Sequence, residues 1–254
     1  MKPTPEILSP MFDRAAARYD RLNSLMSLGR DASWRDALAA GIRRGDRVLD
    51  LCCGSARSSL AVTRRSGRAV IGVDVSPAML ALGATHAAAS GAAFSPVHAD
   101  AFRLPFADGA FDAVTVAWGL RNLKPERQAL REMRRVLRAG GGLHVLDSPS
   151  PPAGPLGAVH RFYVRRIVPA LGRLSDDPAA YRYLSSSILD FCRVEDVARR
   201  LEEAGFRLES TRRLFLGAAA VWRAVKPVAA EAPLQPATNG AAAGQSACLA
   251  APVP

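Results

Sequence analysis

At 254 residues and 27.0 kDa, with 49% hydrophobic and 22% charged residues, the chain can bury a sizeable core in one domain, which excludes bulk disorder. Its apolar runs, such as Ala113–Leu120, break well before the roughly 18 residues of a bilayer span, and Glu6 and Asp13 argue against an acid-poor transit peptide. The net charge of +11 favours anionic surfaces, yet the basic residues are scattered arginine pairs without zinc-finger or RNA-binding patterning, so nucleic acid is not an expected partner.

In chain order, Arg47–Leu51 follows the turn signal Arg44-Gly45-Asp46 and reads as a buried strand. It runs into Cys52-Cys53-Gly54-Ser55-Ala56-Arg57 and a helix over Ser58–Arg65. A second strand, Ala69–Val73, delivers Asp74 at its carboxyl end, and Ser76-Pro77 suits a helix N-cap and first position. Ala93–Ala99 is a third strand ending at Asp100, and Phe111–Trp118 a fourth closing on Gly119-Leu120-Arg121-Asn122. The helical stripe Ala129, Leu130, Met133, Val136 and Leu137 predicts a helix over Pro125–Arg138, stopped by Gly140-Gly141-Gly142 before a fifth strand, Leu143–Asp147. A helix over Val194–Ala204 precedes an antiparallel pair, Phe206–Leu214 and Ala218–Lys226. From Pro227 to Pro254, ten alanines, five prolines and one charge predict a disordered tail, and Cys248 stands too far from the end for prenylation.

Alternating strands and helices predict an α/β fold on a mostly parallel sheet. The cysteines Cys52, Cys53, Cys192 and Cys248 form no CxxC and lie at no metal-ligand spacing from histidine, so no metal is expected and reduced thiols suit the cytoplasm. Ligands of such sheets gather at the carboxyl ends of the strands, which selects the Asp50–Arg57 turn and Asp74. An acid ending the second strand suits ribose hydroxyls and so an adenosine-bearing cofactor. A dinucleotide would require GxGxxG to admit its pyrophosphate, and only Gly54 of that pattern is present. S-adenosylmethionine carries no phosphate, and Gly54, Asp74 and Asp100 supply its backbone, ribose and adenine contacts.

These residues lie within a wider resemblance. The chain resembles the menaquinone/ubiquinone C-methyltransferases, which move a methyl group from S-adenosylmethionine to a ring carbon of a demethylated polyprenyl quinol. The likeness runs through Met11-Phe12-Asp13, Tyr19-Asp20, Asn23, Trp34, Val48-Leu49-Asp50-Leu51-Cys52-Cys53-Gly54-Ser55, Asp100-Ala101, Gly119-Leu120-Arg121-Asn122 and Tyr181-Arg182-Tyr183-Leu184, covering most of the first 210 residues. It implies a class I methyltransferase: a doubly wound, Rossmann-like, mostly parallel seven-stranded sheet with an antiparallel C-terminal strand. The implied organisation is an N-terminal helical lid over 1–40, a methyltransferase domain over 41–226 with a helical insertion near 152–190, and the tail over 227–254.

By that resemblance Asp50, Gly54, Ser55, Asp74, Asp100, Ala101 and Ala117 are cofactor-site positions, Ala117 standing where the family usually has serine. The chain also departs from the family pattern. Ala56 replaces a glycine, adding a Cβ at an expected close approach to the cofactor; Arg57 replaces an acid. Asp147-Ser148-Pro149 and Asp31 also differ from the family.

Carbon methylation of a quinol needs a phenolate-like ring, and a phenol has a pKa of about 10, so a base or an oxyanion partner is required. Arg121 is the candidate oxyanion partner, Asn122 a hydrogen-bond donor, and Asp147 and His160 are alternative bases. Tyr19 and Asp20 belong to the lid segment. Gly157–Leu174 interleaves Val159, Phe162, Ile167 and Val168 with Arg161, Arg165, Arg166 and Arg173, a pattern suited to peripheral contact with anionic lipid at the inner face of the membrane. The expected partners are a small quinol-like acceptor, that membrane surface and a second copy in a homodimer. Two other readings stay open: a small-molecule methyltransferase of secondary metabolism, and a catalytically silent scaffold with the same fold.

Overall fold

The structure is a computed structural model that describes residues 5–175 and 177–228. The tail from residue 229 onward, with Cys248, lies outside the described residues, as do residues 1–4.

Short buried apolar runs become the central strands because both their faces are covered by helices. In chain order the strands are β1 (Val48–Leu51), β2 (Val70–Asp74), β3 (Phe94–His98), β4 (Phe111–Ala117), β5 (Leu137–Asp147), β6 (Arg207–Leu214) and β7 (Ala219–Val225). They form one sheet in the order β3-β2-β1-β4-β5-β7-β6. Neighbours from β3 to β5 pair in parallel, and β7 runs antiparallel to both β5 and β6. Strand order therefore reverses between β1 and β4, and a crevice opens at their carboxyl ends.

The helices are α1 (Pro5–Met26), α2 (Asp31–Ala39), α3 (Arg57–Ser66), α4 (Pro77–Ser90), α5 (Glu126–Val136), α6 (Pro155–Phe162), α7 (Val168–Gly172), α8 (Pro178–Leu189) and α9 (Val194–Glu203). On one sheet face Leu49, Leu51, Val114 and Val116 pack with Leu130 and Met133 of α5 and Val197 and Leu201 of α9. On the other, Val48 and Ala113 pack with Ala39, Ile42 and Val62. Ser76 caps α4 as its sequence predicts, its Oγ accepting from Met79 N at 3.2 Å.

The glycine run behaves differently from the sequence reading. α5 ends at Val136 and β5 is already in the ladder at Leu137. Phe111 faces Leu137 and Ala113 faces Gly142, so Arg138–Gly141 bulges inside a strand and does not stop a helix. Gly140, at φ +72°, supplies the left-handed residue this bulge needs.

The first 40 residues divide between two tasks. α2 sends Trp34 and Leu38 into a core with Ala117, Leu146 and Val221, whereas α1 lies over the carboxyl ends of the strands. The insertion is α6, a π-helical turn over Tyr163–Ile167, α7 and α8. Val164 and Val168 are buried while Val159, Phe162 and Ile167 are exposed, so apolar side chains occupy both of its faces.

Candidate active site

Two cavities meet beneath α1. The smaller, about 80 Å³, sits at the β1/β4 switch point and is lined by Gly54, Asp74, Asp100, Ala101, Ala117 and Asn122, among others. The larger, about 370 Å³, lies between α1, α2, α6 and α8 and takes in Arg121, His160, Tyr163 and Tyr183. Phe12, Tyr19 and Trp118 belong to both walls.

Strand ends build the smaller cavity. Asp74 closes β2, its carboxylate accepting from Gly54 N at 2.9 Å and Ser76 N at 3.0 Å. Burial raises its pKa against those backbone donors. Asp100, beyond β3, accepts from Phe102 N at 2.9 Å and so fixes the turn carrying Ala101. No lysine or arginine lines this cavity among the described residues; two carboxylates and the faces of Phe12, Tyr19, Phe102 and Trp118 do. That donor set suits a sulfonium cation beside a ribose and offers nothing to a pyrophosphate.

Two expected cofactor positions stand behind this wall. Asp50 is fully buried and accepts from Ser59 Oγ and Thr115 Oγ1, each at 2.6 Å, tying β1 to α3 and β4. Burial lifts its pKa to about 6. Ser55 Oγ donates to Asp20 of α1 at 2.7 Å, so it joins roof to floor. Ala56, expected to add a Cβ close to the cofactor, is fully buried at φ +61° with its Cβ beside Gly83 of α4, and it is not among the residues lining the smaller cavity.

The loop after β4 faces both cavities. Trp118 sits at φ +61° and its N–H donates to Leu146 O at 2.7 Å, which turns the chain sharply into the Leu120–Asn122 turn. Arg121 N and Nη1 donate to the two oxygens of Asp147 at 3.1 and 2.7 Å, and Nε donates to Ser187 Oγ at 3.2 Å. Asp147 also accepts from Ser148 N at 2.8 Å and is wholly buried, so it holds Arg121 from behind the cavity. Asn122 accepts from the Tyr183 hydroxyl at 3.0 Å.

His160 lines the larger cavity, and its Nδ1 has no partner among the described residues. Burial, with help from Arg161, holds its pKa below the ordinary histidine value. Tyr19 hydrogen-bonds Asn23; burial raises its pKa although Arg121 and Arg35 pull it down. Sequence reasoning gave no role to Trp118, Tyr183, Ser187 or the Asp31–Arg35 pair. Tyr183, in the Tyr-Arg-Tyr-Leu stretch, and Ser187, in Ser187-Ile188, lie in segments that resemble the family.

Residues 3–226 match the model of the ubiE/COQ5 methyltransferase family. The chain belongs to that family. It is a methyltransferase, and S-adenosylmethionine is its methyl donor. The chain is 44% identical over 200 residues to a demethylmenaquinone methyltransferase of Thermus thermophilus, covering 77% of this chain and 91% of that one. It is also 44% identical over 225 residues to one of Beutenbergia cavernae, covering 87% and 92%. Among solved structures, the [4+2]-cyclase SpnF shares the fold at TM-score 0.68 and 20% identity, over 90% of this chain and 98% of that one. A methyltransferase of Aquifex aeolicus does so at TM-score 0.58 and 17% identity, over 82% and 97%.

Proposed function

We propose that this methyltransferase methylates a ring carbon of a demethylmenaquinol-like polyprenyl quinol, using the smaller cavity for the donor and the larger for the acceptor. The observation that carries the reading is the meeting of the two cavities at Tyr19, Phe12 and Trp118, beside Arg121. The relatives' names supply the acceptor class.

The bound donor supplies an electrophilic methyl group. Asp74 and Asp100 hold its polar end groups, with Asp50 and Ser55 as supports behind them. His160, kept neutral by burial, takes the acceptor's hydroxyl proton, while Asp147, its oxygens committed to Arg121 and Ser148, positions the guanidinium. Arg121 hydrogen-bonds the acceptor oxygen as negative charge gathers on it and spreads to the neighbouring carbon. Once methylated, that carbon gives up its ring hydrogen as a proton to solvent, which restores the aromatic ring, and the oxygen regains a proton from His160. Tyr19, with its pKa raised, stays protonated and donates at the junction. Asn122, held by Tyr183, orients the ring. An oxidised quinone has no such proton to lose and no nucleophilic carbon.

The rim of the larger cavity is apolar and exposed: Leu28, Val159 and Leu216 are each about two-thirds exposed, at 65%, 67% and 69%. Arg30 is exposed against Phe215 of this rim, and Arg165 and Arg166 of the insertion are exposed as well. A rim of this kind rests on anionic lipid at the inner face of the membrane, so a ring enters while its polyprenyl tail stays in the bilayer. No helix among the described residues is long and apolar enough to cross a membrane.

The test is anaerobic methyl transfer with reduced and oxidised naphthoquinones. Turnover of the reduced form alone, with a loss of about 100-fold in kcat for Arg121→Ala, is the expected result. Equal use of both forms, or an unimpaired variant, overturns the reading.

A further inference from the structure

Besides Arg121, the larger cavity holds a second guanidinium, and this one is under-bonded. Arg35, in α2, is 6% exposed and lines the cavity wall. Among the described residues its guanidinium has one partner, Asp31, whose Oδ2 accepts from Nη1 at 2.5 Å. Nε is buried with no partner. Asp31 is itself held rigidly: its Oδ1 accepts from Ser24 Oγ at 3.1 Å and Ser27 Oγ at 3.2 Å, and its N–H donates to Ser27 Oγ. These bonds and Arg35 hold the Asp31 pKa below the usual carboxylate value against burial, so the carboxylate stays ionised.

A buried guanidinium with most of its five donors idle is costly unless a ligand completes it. Arg35 lines the larger cavity, which has room for that ligand. Asp31 cancels the charge of Arg35 as Asp147 cancels that of Arg121, so each pair presents donors without net charge. Two such pairs in one apolar cavity suit a neutral aromatic ring bearing two oxygens, and disfavour a carboxylate.

We propose that Arg35 binds the second oxygen of the acceptor, the one remote from Arg121, and thereby selects para-diols over mono-ols, with Asp31 as its positioning residue. This rests on the larger cavity being the acceptor site. Loss of one charge-assisted hydrogen bond corresponds to roughly tenfold or more in affinity.

Calorimetric titration of the full chain, reduced and without methyl donor, compares 1,4-naphthalenediol, 1-naphthol and 4-hydroxy-1-naphthoate. Wild type is expected to bind the diol at least about tenfold more tightly than the mono-ol, and more tightly than the naphthoate. Arg35→Lys keeps a cation for Asp31 but loses the planar fork, so the diol preference should collapse with mono-ol affinity unchanged. Asp31→Asn frees the arginine's charge and should raise naphthoate affinity several-fold, an effect that a purely structural pair would not produce. An unchanged diol-to-mono-ol ratio in Arg35→Lys overturns the inference, as does tighter binding of the naphthoate by wild type. Turnover of the diol with an unchanged ratio sinks this inference alone; a collapsed ratio without turnover sinks only the proposed reaction.

Discussion

Ala56 holds φ at +61°, a left-handed conformation that costs a residue with a Cβ about 1–2 kcal/mol. Its neighbour across the contact is Gly83, inside α4, where glycine is itself a poor helix former. A Cβ on Gly83 would stand 3.0 Å from that of Ala56 and 3.3 Å from Gly54 O, which explains why the helix has none there. Ala56→Gly is expected to stabilise the protein by about 1 kcal/mol. Gly83→Ala should cost about 1–3 kcal/mol, and less in the Ala56→Gly background. Urea unfolding of the two single variants and the double checks both, and additive effects would show that the methyl groups do not compete.

His144 carries the clearest pH signal. It is buried on β5 beneath Gly41 with Nδ1 unpartnered, and burial lowers its pKa to about 4, helped by Arg223 and Arg43. The unfolded chain, with a histidine pKa near 6.5, therefore takes up a proton that the folded chain refuses. Stability from this group is intact above 6.5 and is lost as pH falls toward 4. Asp50 runs the other way, since a folded pKa of about 6 adds stability as pH falls from 6 toward 4. The two nearly cancel in wild type, so the contrast belongs to a variant. Relative to His144→Gln, wild type should lose about 2 kcal/mol between pH 7.5 and pH 5, read from denaturant midpoints. A constant difference across that range would mean that His144 has the same pKa in the fold as in the unfolded chain.

At the scale of elements, α1 is a roof fastened at several points. Ser9 Oγ donates to Val75 O at 2.9 Å, Asp13 accepts from Ser76 Oγ at 2.5 Å and Ala78 N at 3.2 Å, and Asp20 accepts from Ser55 Oγ. Toward the acceptor side, Arg14 Nε donates to Asp177 at 2.8 Å and the Tyr163 hydroxyl to Met26 O at 2.8 Å. One helix thus lines both cavities, and a donor that entered by displacing it would have to break these fastenings. Asp13→Ala removes the carboxylate at the first turn of α4 without touching the cavity wall. Donor Kd should rise roughly 3- to 10-fold with kcat changed less than about twofold, because the closed form loses one latch and the reacting groups stay in place. An unaltered Kd in calorimetry would show that the latch is redundant. That Tyr19 and Asp20 belong to a segment over the site was an expectation carried by the family resemblance. The fastening of α1 was not legible in the sequence, because Asp13 meets Ser76 across 63 residues of sequence.

At the scale of the whole molecule, the edges of the sheet are guarded. β6 exposes Arg207, Glu209, Arg212 and Arg213, and β3 carries Pro96, so neither edge invites continuation of the sheet into another copy. Apolar exposure collects instead around the mouth of the larger cavity, where Leu28, Leu156, Val159, Phe215 and Leu216 form the rim and Arg30 stacks 4.3 Å from the Phe215 ring centre. With the overall charge of +11, lipid attraction has an electrostatic and an apolar part. Pelleting with phosphatidylserine vesicles should fall several-fold between about 0.05 and 0.5 M salt, and Val159→Asp combined with Leu216→Asp should remove most of the remainder. Salt-insensitive pelleting, or none with anionic vesicles, would remove the membrane from the proposal.

Linear pattern was enough for the elements and the chemistry at their ends: the apolar runs of β1, β2 and β4, the Ser76 cap, and Asp74 and Asp100 at strand termini. These are short-range properties, set by periodicity and by caps a few residues long, so a linear pattern contains them. Even there, the glycines after α5 read as a helix stop when they form a bulge, because a bulge is defined only by the partner strand. Tertiary structure alone decided which side chains meet. Asp147 stands 26 residues from Arg121, Tyr183 stands 61 from Asn122, and Ala56 turned toward Gly83 once α4 packed on the turn. The Asp31–Arg35 pair is local in sequence, yet its place on the cavity wall follows from α2 docking against β4, β5 and β7. Desolvation and hydrogen-bond competition set the state of such groups, and both depend on what the folded chain brings near them.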